Sequence, residues 1–277
     1  MQGVPESTTE LNTTTYGEHG TPVVFLHGLF GQGRNWTGVA KALAGAHRVV
    51  LVDLPDHGRS AWTQAPPDGR GFDVLEVADQ VARSLDPGDP VALVGHSLGG
   101  KVAMALTLRH PALVERLCVV DIAPVAYRNV SEFAGYIEVM RGLDLDALTQ
   151  RADADAALAG AVPNPTVRSF LLQNLRREAL PDGRSSWRWQ VNLEGLRRDL
   201  PGISSWPEDR LAGVAPYPGQ VLWMAGENST YITDEYAPAM DRWFPLNRRV
   251  RIKNAGHWVH SEQPEVFLEV LRRFLDT

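Results

Sequence analysis

The sequence predicts an α/β fold with a mostly parallel central sheet, flanked by helices and carrying an inserted helical cap. Short β-rich runs alternate with helical patterns at both ends of the chain, which is typical of a parallel sheet covered on both faces. In the middle the strand pattern stops and only helical patterns continue. The length of 277 residues and a hydrophobic content of 44% fit one large domain with a substantial core. We therefore expect a single domain over residues 1–277.

The two β/α-patterned regions supply the predicted sheet. Apolar runs predict strands at residues 23–26, 47–52, 90–94, 116–120, 220–226 and 249–252. Helical spacing predicts helices at residues 35–44, 74–85, 101–106 and 264–275. The inner face of the closing helix is predicted to carry Val266, Phe267, Val270, Leu271 and Phe274.

The cap is predicted at about residues 126–215, where amphipathic helical segments are separated by Pro and Gly. Two apolar groups are each predicted to share one helical face: Phe133, Tyr136, Ile137 and Met140, and Phe170, Leu171, Leu175 and Ala179. The cap also contains Trp187, Trp189 and Trp206. Its aromatic residues either line a substrate cavity or seat the cap on the core.

Composition argues against several functional classes. A net charge of −6 gives no reason to expect nucleic-acid or anionic-membrane binding. The single cysteine, Cys118, excludes an internal disulfide and is expected in the core. The polar N-terminus is not that of a secretory signal, and no apolar run approaches membrane-spanning length. We expect a cytoplasmic protein without nucleic-acid or membrane partners.

The most informative motif is Gly-His-Ser-Leu-Gly at residues 95–99, directly after an apolar run. A Gly-x-Ser-x-Gly turn between a strand and a helix holds its serine in a tight corner. A Cβ on either glycine would collide with neighbouring backbone. The helix that follows directs its free N–H groups toward whatever the serine attacks. Because so short a pattern also arises by chance, Ser97 is a candidate nucleophile that needs partners elsewhere.

A serine nucleophile needs an adjacent base, and His257 is the candidate among eight histidines. It follows the last predicted strand, so it lies at the same sheet edge as Ser97. Three histidines at strand ends are flanked by turn glycines and are expected to serve local hydrogen bonding: His27, His57 and His96. Four others have no supporting context: His19, His47, His110 and His260.

Four motifs together resemble the α/β-hydrolase family in order and spacing, over nearly the whole chain. They are His-Gly-Leu-Phe-Gly at 27–31, Asp-Leu-Pro-Asp-His-Gly-Arg-Ser at 53–60, Gly-His-Ser-Leu-Gly-Gly at 95–100 and Gly-His-Trp at 256–258. Many members carry their triad acid in a Gly-x-x-Asp turn after the seventh strand. Here that turn is Gly-Glu-Asn-Ser, so Ser229 stands where the aspartate would be.

The acid must then come from elsewhere, and Asp121 is the natural substitute. It follows the strand beside that of the nucleophile, and some family members place the acid there. It would accept a hydrogen bond from His257 and hold the tautomer of that histidine. The competing acids are Glu227 and Asp234, both in the region after the next strand.

Further residues resemble one branch of the family, the YbfF-type bacterial esterases and their mitochondrial relatives. They are Asp-Ile-Ala-Pro at 121–124, Lys101, and Gly-Glu-Asn-Ser-Thr-Tyr at 226–231. The resemblance implies hydrolysis of short acyl esters and thioesters. It also implies the triad order Ser97, Asp121, His257.

Acyl transfer also needs donors for the oxyanion, expected from the backbone N–H groups of Leu98 and Leu29. Asp53 and Arg59 are expected to brace their own loop. Lys101, in a first helical turn, opposes the helix dipole. It either pairs with a nearby carboxylate or favours an acidic acyl group.

The sequence therefore predicts a serine hydrolase that cleaves carboxylic esters or thioesters of small acyl groups through an acyl-enzyme. The expected partner is a small-molecule acyl ester or thioester, and no metal or cofactor is implied. Two alternatives stay open. One is a carbon–carbon bond hydrolase or lyase with the same triad, and the other is a ligand receptor on a hydrolase scaffold.

Overall fold

The computed structural model describes residues 10–63, 71–128, 131–180 and 183–277. Its strands are β1 (Thr13–Tyr16), β2 (Pro22–Leu26), β3 (Arg48–Val52), β4 (Val91–His96), β5 (Val114–Val120), β6 (Leu175–Ala179), β7 (Ser185–Trp189), β8 (Gln220–Gly226) and β9 (Asn247–Ile252). Seven of them form one sheet in the order β1-β3-β2-β4-β5-β8-β9. Neighbours in this sheet run parallel except β1, which pairs antiparallel with β3. The predicted mostly parallel sheet is confirmed.

Helices pack on both faces of this sheet. On one face lie α2 and α3, and on the other α1 and α10. The α-helices of the described residues are α1 (Thr37–Leu43), α2 (Val74–Arg83), α3 (Leu98–Arg109), α4 (Ser131–Arg141), α5 (Arg151–Leu158), α6 (Pro165–Leu172), α7 (Leu193–Ser204), α8 (Ala237–Trp243), α9 (Val259–Glu262) and α10 (Pro264–Leu275). Alternate residues of β2 enter opposite cores, Val24 with α2 and α3, and Phe25 with α1 and α10. All five residues of β2 are buried, which explains why a parallel strand reads as a continuous apolar run.

Two details of the sheet domain differ from the predictions. The edge strand β1 was not predicted, because its threonine-rich residues are mostly exposed and show no apolar pattern. On α10, Val266 is 43% exposed, so its predicted place on the inner face is wrong. The buried positions are Phe267, Leu271, Phe274 and Leu275, whose spacing of three to four residues leaves position 266 off the core-facing stripe.

The segment 126–215 contributes no strand to the main sheet in its described part, and it contains α4 to α7. It also contains an antiparallel hairpin of β6 and β7, contrary to the expectation of helices alone. The predicted helical face through Leu175 and Ala179 is wrong, because α6 ends at Leu172. Residues 175–179 instead alternate between less and more exposed positions, which is the period of a strand.

Tryptophans hold this segment together internally. The Trp189 indole N–H donates to the carbonyl of Met140, and that of Trp187 donates to Leu148. Trp206 is also buried. Among the aromatic residues of the described part of this segment, Tyr127 and Phe133 border the cavity described below. Within the described ranges, no helix is long and apolar enough to cross a membrane.

Candidate active site

Ser97 lies immediately after β4 in a backbone conformation that few residues other than glycine adopt, with φ 52° and ψ −118°. The turn requires its glycines, as the sequence predicts. A Cβ on Gly95 would lie 2.3 Å from the carbonyl oxygen of Gly99, and one on Gly99 would lie 2.4 Å from that of Leu26. Ser97 is therefore presented at the carboxyl edge of the sheet, at the start of α3.

Asp121 follows β5, the strand beside β4, and is completely buried with φ 51°. Its Oδ2 lies 2.8 Å from Nδ1 of His257. The Gly226 N–H donates to Oδ1 at 3.1 Å, and the Ser229 hydroxyl donates to Oδ2. These donors stabilise a carboxylate that is shielded from water. The structure thus brings together two of the predicted site residues, Asp121 and His257.

Ser229 has a role that the sequence reasoning missed. In the sequence this residue marks only the place of an absent aspartate, yet in the structure its hydroxyl donates to Asp121 and accepts the Tyr231 N–H at 3.2 Å. The turn after β8 therefore supplies a hydrogen-bond donor to the acid. The available signal was the combination of a serine at this turn with an aspartate at the end of the neighbouring strand.

The two competing acids point elsewhere. Glu227 Oε2 accepts the N–H of Asn254 at 3.1 Å. Asp234 is fully exposed, and its carboxylate lies 3.6 Å from Arg251. Within the described residues, the carboxylate that is hydrogen-bonded to His257 is that of Asp121.

His257 is held from two further sides. Its ring stacks on Tyr231, with centroids 4.0 Å apart and planes at 26°. The His96 ring lies 4.8 Å away, and its Nε2–H donates to the backbone carbonyl of His257 at 2.8 Å. The prediction of only local bonding for His96 is wrong, because this partner is 161 residues away. Since His96 precedes Ser97, the bond joins the His257 loop to the serine turn.

His27 and His57 make the local hydrogen bonds that the sequence predicts through Nδ1, and through Nε2 they also join two separate loops. Their Nδ1 atoms bond to the carbonyls of Gly28 and Pro55, each at 2.8 Å. Their Nε2 atoms accept N–H groups of the opposite loop, from Leu54 at 2.9 Å and Phe30 at 3.2 Å, respectively. Burial lowers the pKa of His27 to about 3, so its ring is neutral and serves as donor and acceptor together.

Leu29 and Leu98 lie in the same cavity lining as Ser97. Neither backbone N–H donates to an acceptor in the described part of the chain. Gly28 permits the close approach, because a Cβ there would lie 3.1 Å from the Ser97 Cβ and 2.8 Å from the His96 ring. Two residues of the cavity lining thus carry an N–H group without an acceptor in the described part of the chain.

The cavity at Ser97 is small, about 40 Å³. Most of its lining is apolar, contributed by Leu29, Leu98, Ile122, Phe133, Leu200 and Ile203. A wider polar groove of about 610 Å³ adjoins it and shares Tyr127, Phe133 and Tyr231 with it. A narrow apolar space and a broad polar one therefore meet near His257.

Lys101 also lines the small cavity, and its side chain is almost completely buried. Its ammonium donates to backbone carbonyls at the end of α7, and no carboxylate pairs with it in the described ranges. The alternative of an ion pair is therefore wrong, because helix-terminal carbonyls take the place of the carboxylate. Burial lowers the pKa of Lys101 to about 7.

Other predicted residues have structural roles. Asp53 accepts the N–H groups of Gly33 at 2.6 Å and Arg59 at 2.9 Å, so it braces its loop as predicted. Arg59 contributes through this backbone N–H. Cys118 is buried on β5, as expected. His260, for which the sequence offered no context, stacks on Trp36 with centroids 4.1 Å apart.

Comparison with known proteins identifies the class to which this fold and site belong. A family model described as the α/β hydrolase fold matches residues 21–264, so the chain belongs to the α/β-hydrolase family. The chain is 37% identical to the sn-1-specific diacylglycerol lipase ABHD11 of Mus musculus, over 91% of this chain and 80% of the lipase. It is 31% identical to esterase YbfF of Escherichia coli, over 95% and 96% of the two chains.

A solved structure agrees with these relatives. A marine microorganism esterase superposes with a TM-score of 0.86 at 32% identity, covering 96% of this chain and 99% of the esterase. The predicted family and its YbfF-type relatives are confirmed. The chain is a hydrolase of the esterase and lipase type.

Proposed function

We propose that this protein is a serine esterase that cleaves small acyl esters or thioesters through an acyl-enzyme. The observation that carries the proposal is the 2.8 Å bond between Asp121 and His257, at the sheet edge that also presents Ser97. A serine alone is a weak nucleophile, and an oriented imidazole is what activates it.

In the proposed mechanism, Ser97 Oγ attacks the acyl carbonyl while His257 Nε2 takes the hydroxyl proton. Asp121 accepts the Nδ1–H of His257, which fixes the tautomer and stabilises the imidazolium. The imidazolium then protonates the leaving alcohol or thiol as its bond to the acyl carbon breaks. Water, deprotonated by the same histidine, releases the carboxylic acid from Ser97.

The N–H groups of Leu29 and Leu98 are proposed to bind the oxyanion of the tetrahedral intermediate. Their support is that both border Ser97 and neither has an acceptor in the described part of the chain. In other hydrolases, removal of one such donor lowers kcat by about 10²–10³-fold.

The shapes of the two adjoining spaces indicate which part of the substrate each would take. The apolar cavity of about 40 Å³ suits a short acyl chain, since pockets for drug-sized ligands start at roughly 300 Å³. The polar groove suits the leaving alcohol or thiol. In this proposal residues 126–215 act as a cap within a single domain, because α7 and Phe133 supply cavity walls.

Turnover of p-nitrophenyl esters and acyl thioesters from two to twelve carbons tests the proposal. We expect multiple turnovers per second, with kcat/KM highest for acyl chains of two to four carbons. A single slow burst would instead indicate a receptor on a hydrolase scaffold. Cleavage of a diketone without cleavage of any ester would indicate the carbon–carbon hydrolase.

A further inference from the structure

Lys101 is a buried basic residue beside the proposed nucleophile, and the proposed mechanism does not use it. It is the fourth residue of α3, one turn after Ser97, and only 2% of it is exposed. Removing a charge from water is unfavourable unless the charged group is fully hydrogen-bonded. The partners of its ammonium therefore indicate what this side chain does.

In the described part of the chain, the hydrogen bonds of this ammonium all go to the end of α7. Nζ donates to the carbonyls of Ser204 at 2.6 Å, Ser205 at 2.7 Å and Ile203 at 3.3 Å. The carbonyls at a helix C-terminus lack partners within the helix and carry the negative end of its dipole. Lys101, which lies on α3, thus donates hydrogen bonds to carbonyls that have no partner within α7.

The same end of α7 is a wall of the cavity at Ser97. Leu200, Ile203 and Ser204 line it. Tyr127 supports the arrangement, since its N–H donates to the Ser204 carbonyl at 2.9 Å and its ring centroid lies 5.1 Å from Nζ. The ammonium therefore fixes the distance between the nucleophile's helix and the wall opposite it.

We propose that Lys101 is a specificity-determining residue, which limits acyl-chain length by holding the last turn of α7 as the wall of the cavity. This inference rests on the proposed esterase function. The alternative of direct binding to an acidic acyl group is disfavoured, because three carbonyls already take the hydrogen bonds of the ammonium and the cavity lining is mostly apolar.

Lys101→Met tests this by keeping the length of the side chain and removing its donors. Without the ammonium the carbonyls of Ile203 and Ser205 lose this partner, and that of Ser204 keeps only the Tyr127 N–H. We expect the last turn of α7 to move outward, so that longer acyl chains enter. We expect the ratio of kcat/KM for p-nitrophenyl octanoate to that for p-nitrophenyl butyrate to rise at least tenfold.

Two control variants accompany this measurement. Lys101→Arg keeps the charge and the donors, so its ratio should stay within threefold of that of the wild type. Lys41→Met, at an exposed position of α1, is the matched control and should leave the ratio unchanged.

A second measurement needs no variant and covers the case in which Lys101→Met does not fold. The octanoate-to-butyrate ratio of the wild type is compared at pH 6 and pH 9, because a change in the reactivity of the shared catalytic groups cancels in the ratio. Deprotonation of Lys101 removes one donor, so the ratio should rise at least threefold. Of the groups facing Lys101, Tyr127 stays a neutral phenol because burial raises its pKa. The charged residues of α7 one turn earlier, Arg198 and Asp199, are paired with each other.

The outcomes separate the two proposals. Absence of turnover on every ester contradicts the esterase function itself. Ester turnover with a flat ratio in Lys101→Met overturns the role of Lys101. Where that variant does not fold, a flat ratio across pH in the wild type overturns it. A loss in Lys101→Met confined to hemisuccinate esters also overturns it, in favour of direct anion binding.

Discussion

Ser97 and Asp121 both hold their side chains at the sheet edge through backbone with positive φ. Such conformations cost about 1–3 kcal/mol each outside glycine and persist only where the surrounding structure enforces them. Here the Ser97 N–H donates to the Val120 carbonyl at 3.0 Å, and the Asp121 N–H donates to the Met224 carbonyl at 2.9 Å. Each residue is thus fixed to the end of the neighbouring strand, which sets the spacing of the proposed triad.

Replacement of Asp121 by asparagine should lower kcat on the order of 10³–10⁴-fold with little change in KM, because the amide favours the wrong tautomer of His257. Steady-state kinetics on p-nitrophenyl butyrate measure this. The matched control is Asp234→Asn, at a fully exposed carboxylate, which should stay within threefold of the wild type. A large loss in the control with a small loss in Asp121→Asn would move the acid to residue 234.

The position of Ser229 allows a rescue experiment. Its hydroxyl and Nδ1 of His257 both contact Oδ2 of Asp121, so a carboxylate built at residue 229 reaches the same region. We expect Asp121→Asn with Ser229→Asp to recover at least tenfold in kcat over Asp121→Asn alone. Kinetics of the two variants measured side by side give the answer. No recovery, with the double variant folded by circular dichroism, would show that the acid works only from residue 121.

At the scale of elements, the serine is placed by the close packing of α3 against the loop after β2. A Cβ on Gly99 would lie 2.4 Å from the Leu26 carbonyl and 2.5 Å from that of His27. Because both obstacles are backbone, a side chain there displaces the whole turn. Gly38, in α1, has no atom within 4 Å of a built Cβ and offers a matched comparison.

Gly99→Ala should therefore lower both the unfolding midpoint and esterase activity, whereas Gly38→Ala should stabilise the protein by about 0.5–1 kcal/mol, the advantage of alanine within a helix. Urea unfolding followed by circular dichroism compares the two variants with the wild type. Equal midpoints for both would contradict the close packing of α3.

At the scale of the whole molecule, buried neutral histidines join the loops around the site. Burial lowers the pKa of His27 and His260 to about 3, and it also lowers those of His57 and His96. In the unfolded chain a histidine titrates near ~6.5. Between these values the unfolded state binds more protons than the folded one, so stability rises with pH across this window.

Lowering the pH from 7 to 4 should then reduce the free energy of unfolding, by up to about 3 kcal/mol each for His27 and His260. His260→Phe keeps a ring against Trp36 and removes one titrating group, so its loss over this range should be smaller. Urea midpoints of the wild type and this variant at both pH values provide the measurement. The same pH dependence in the two proteins would exclude His260 from the effect.

The sequence predicted the parts of this molecule that local patterns encode. Buried parallel strands appear as apolar runs, so the central sheet and the edge carrying Ser97 and His257 could be located. Contacts made across more than a hundred residues leave no local pattern. The bonds of Lys101 to α7, of His96 to the His257 carbonyl and of Ser229 to Asp121 are all of this kind. The hairpin of β6 and β7 was missed because its short, charged strands resemble a polar helix.

Covalent labelling tests whether Ser97 is the nucleophile of an acyl-enzyme. The wild type and Ser97→Ala are treated with a fluorophosphonate, and the adduct is located by peptide mass spectrometry alongside turnover of p-nitrophenyl butyrate. We predict one adduct per wild-type chain, on Ser97. Ser97→Ala should carry no adduct, and its turnover should be lower than that of the wild type by at least about 10⁴-fold. An adduct on another residue, or turnover retained by Ser97→Ala, would contradict the account.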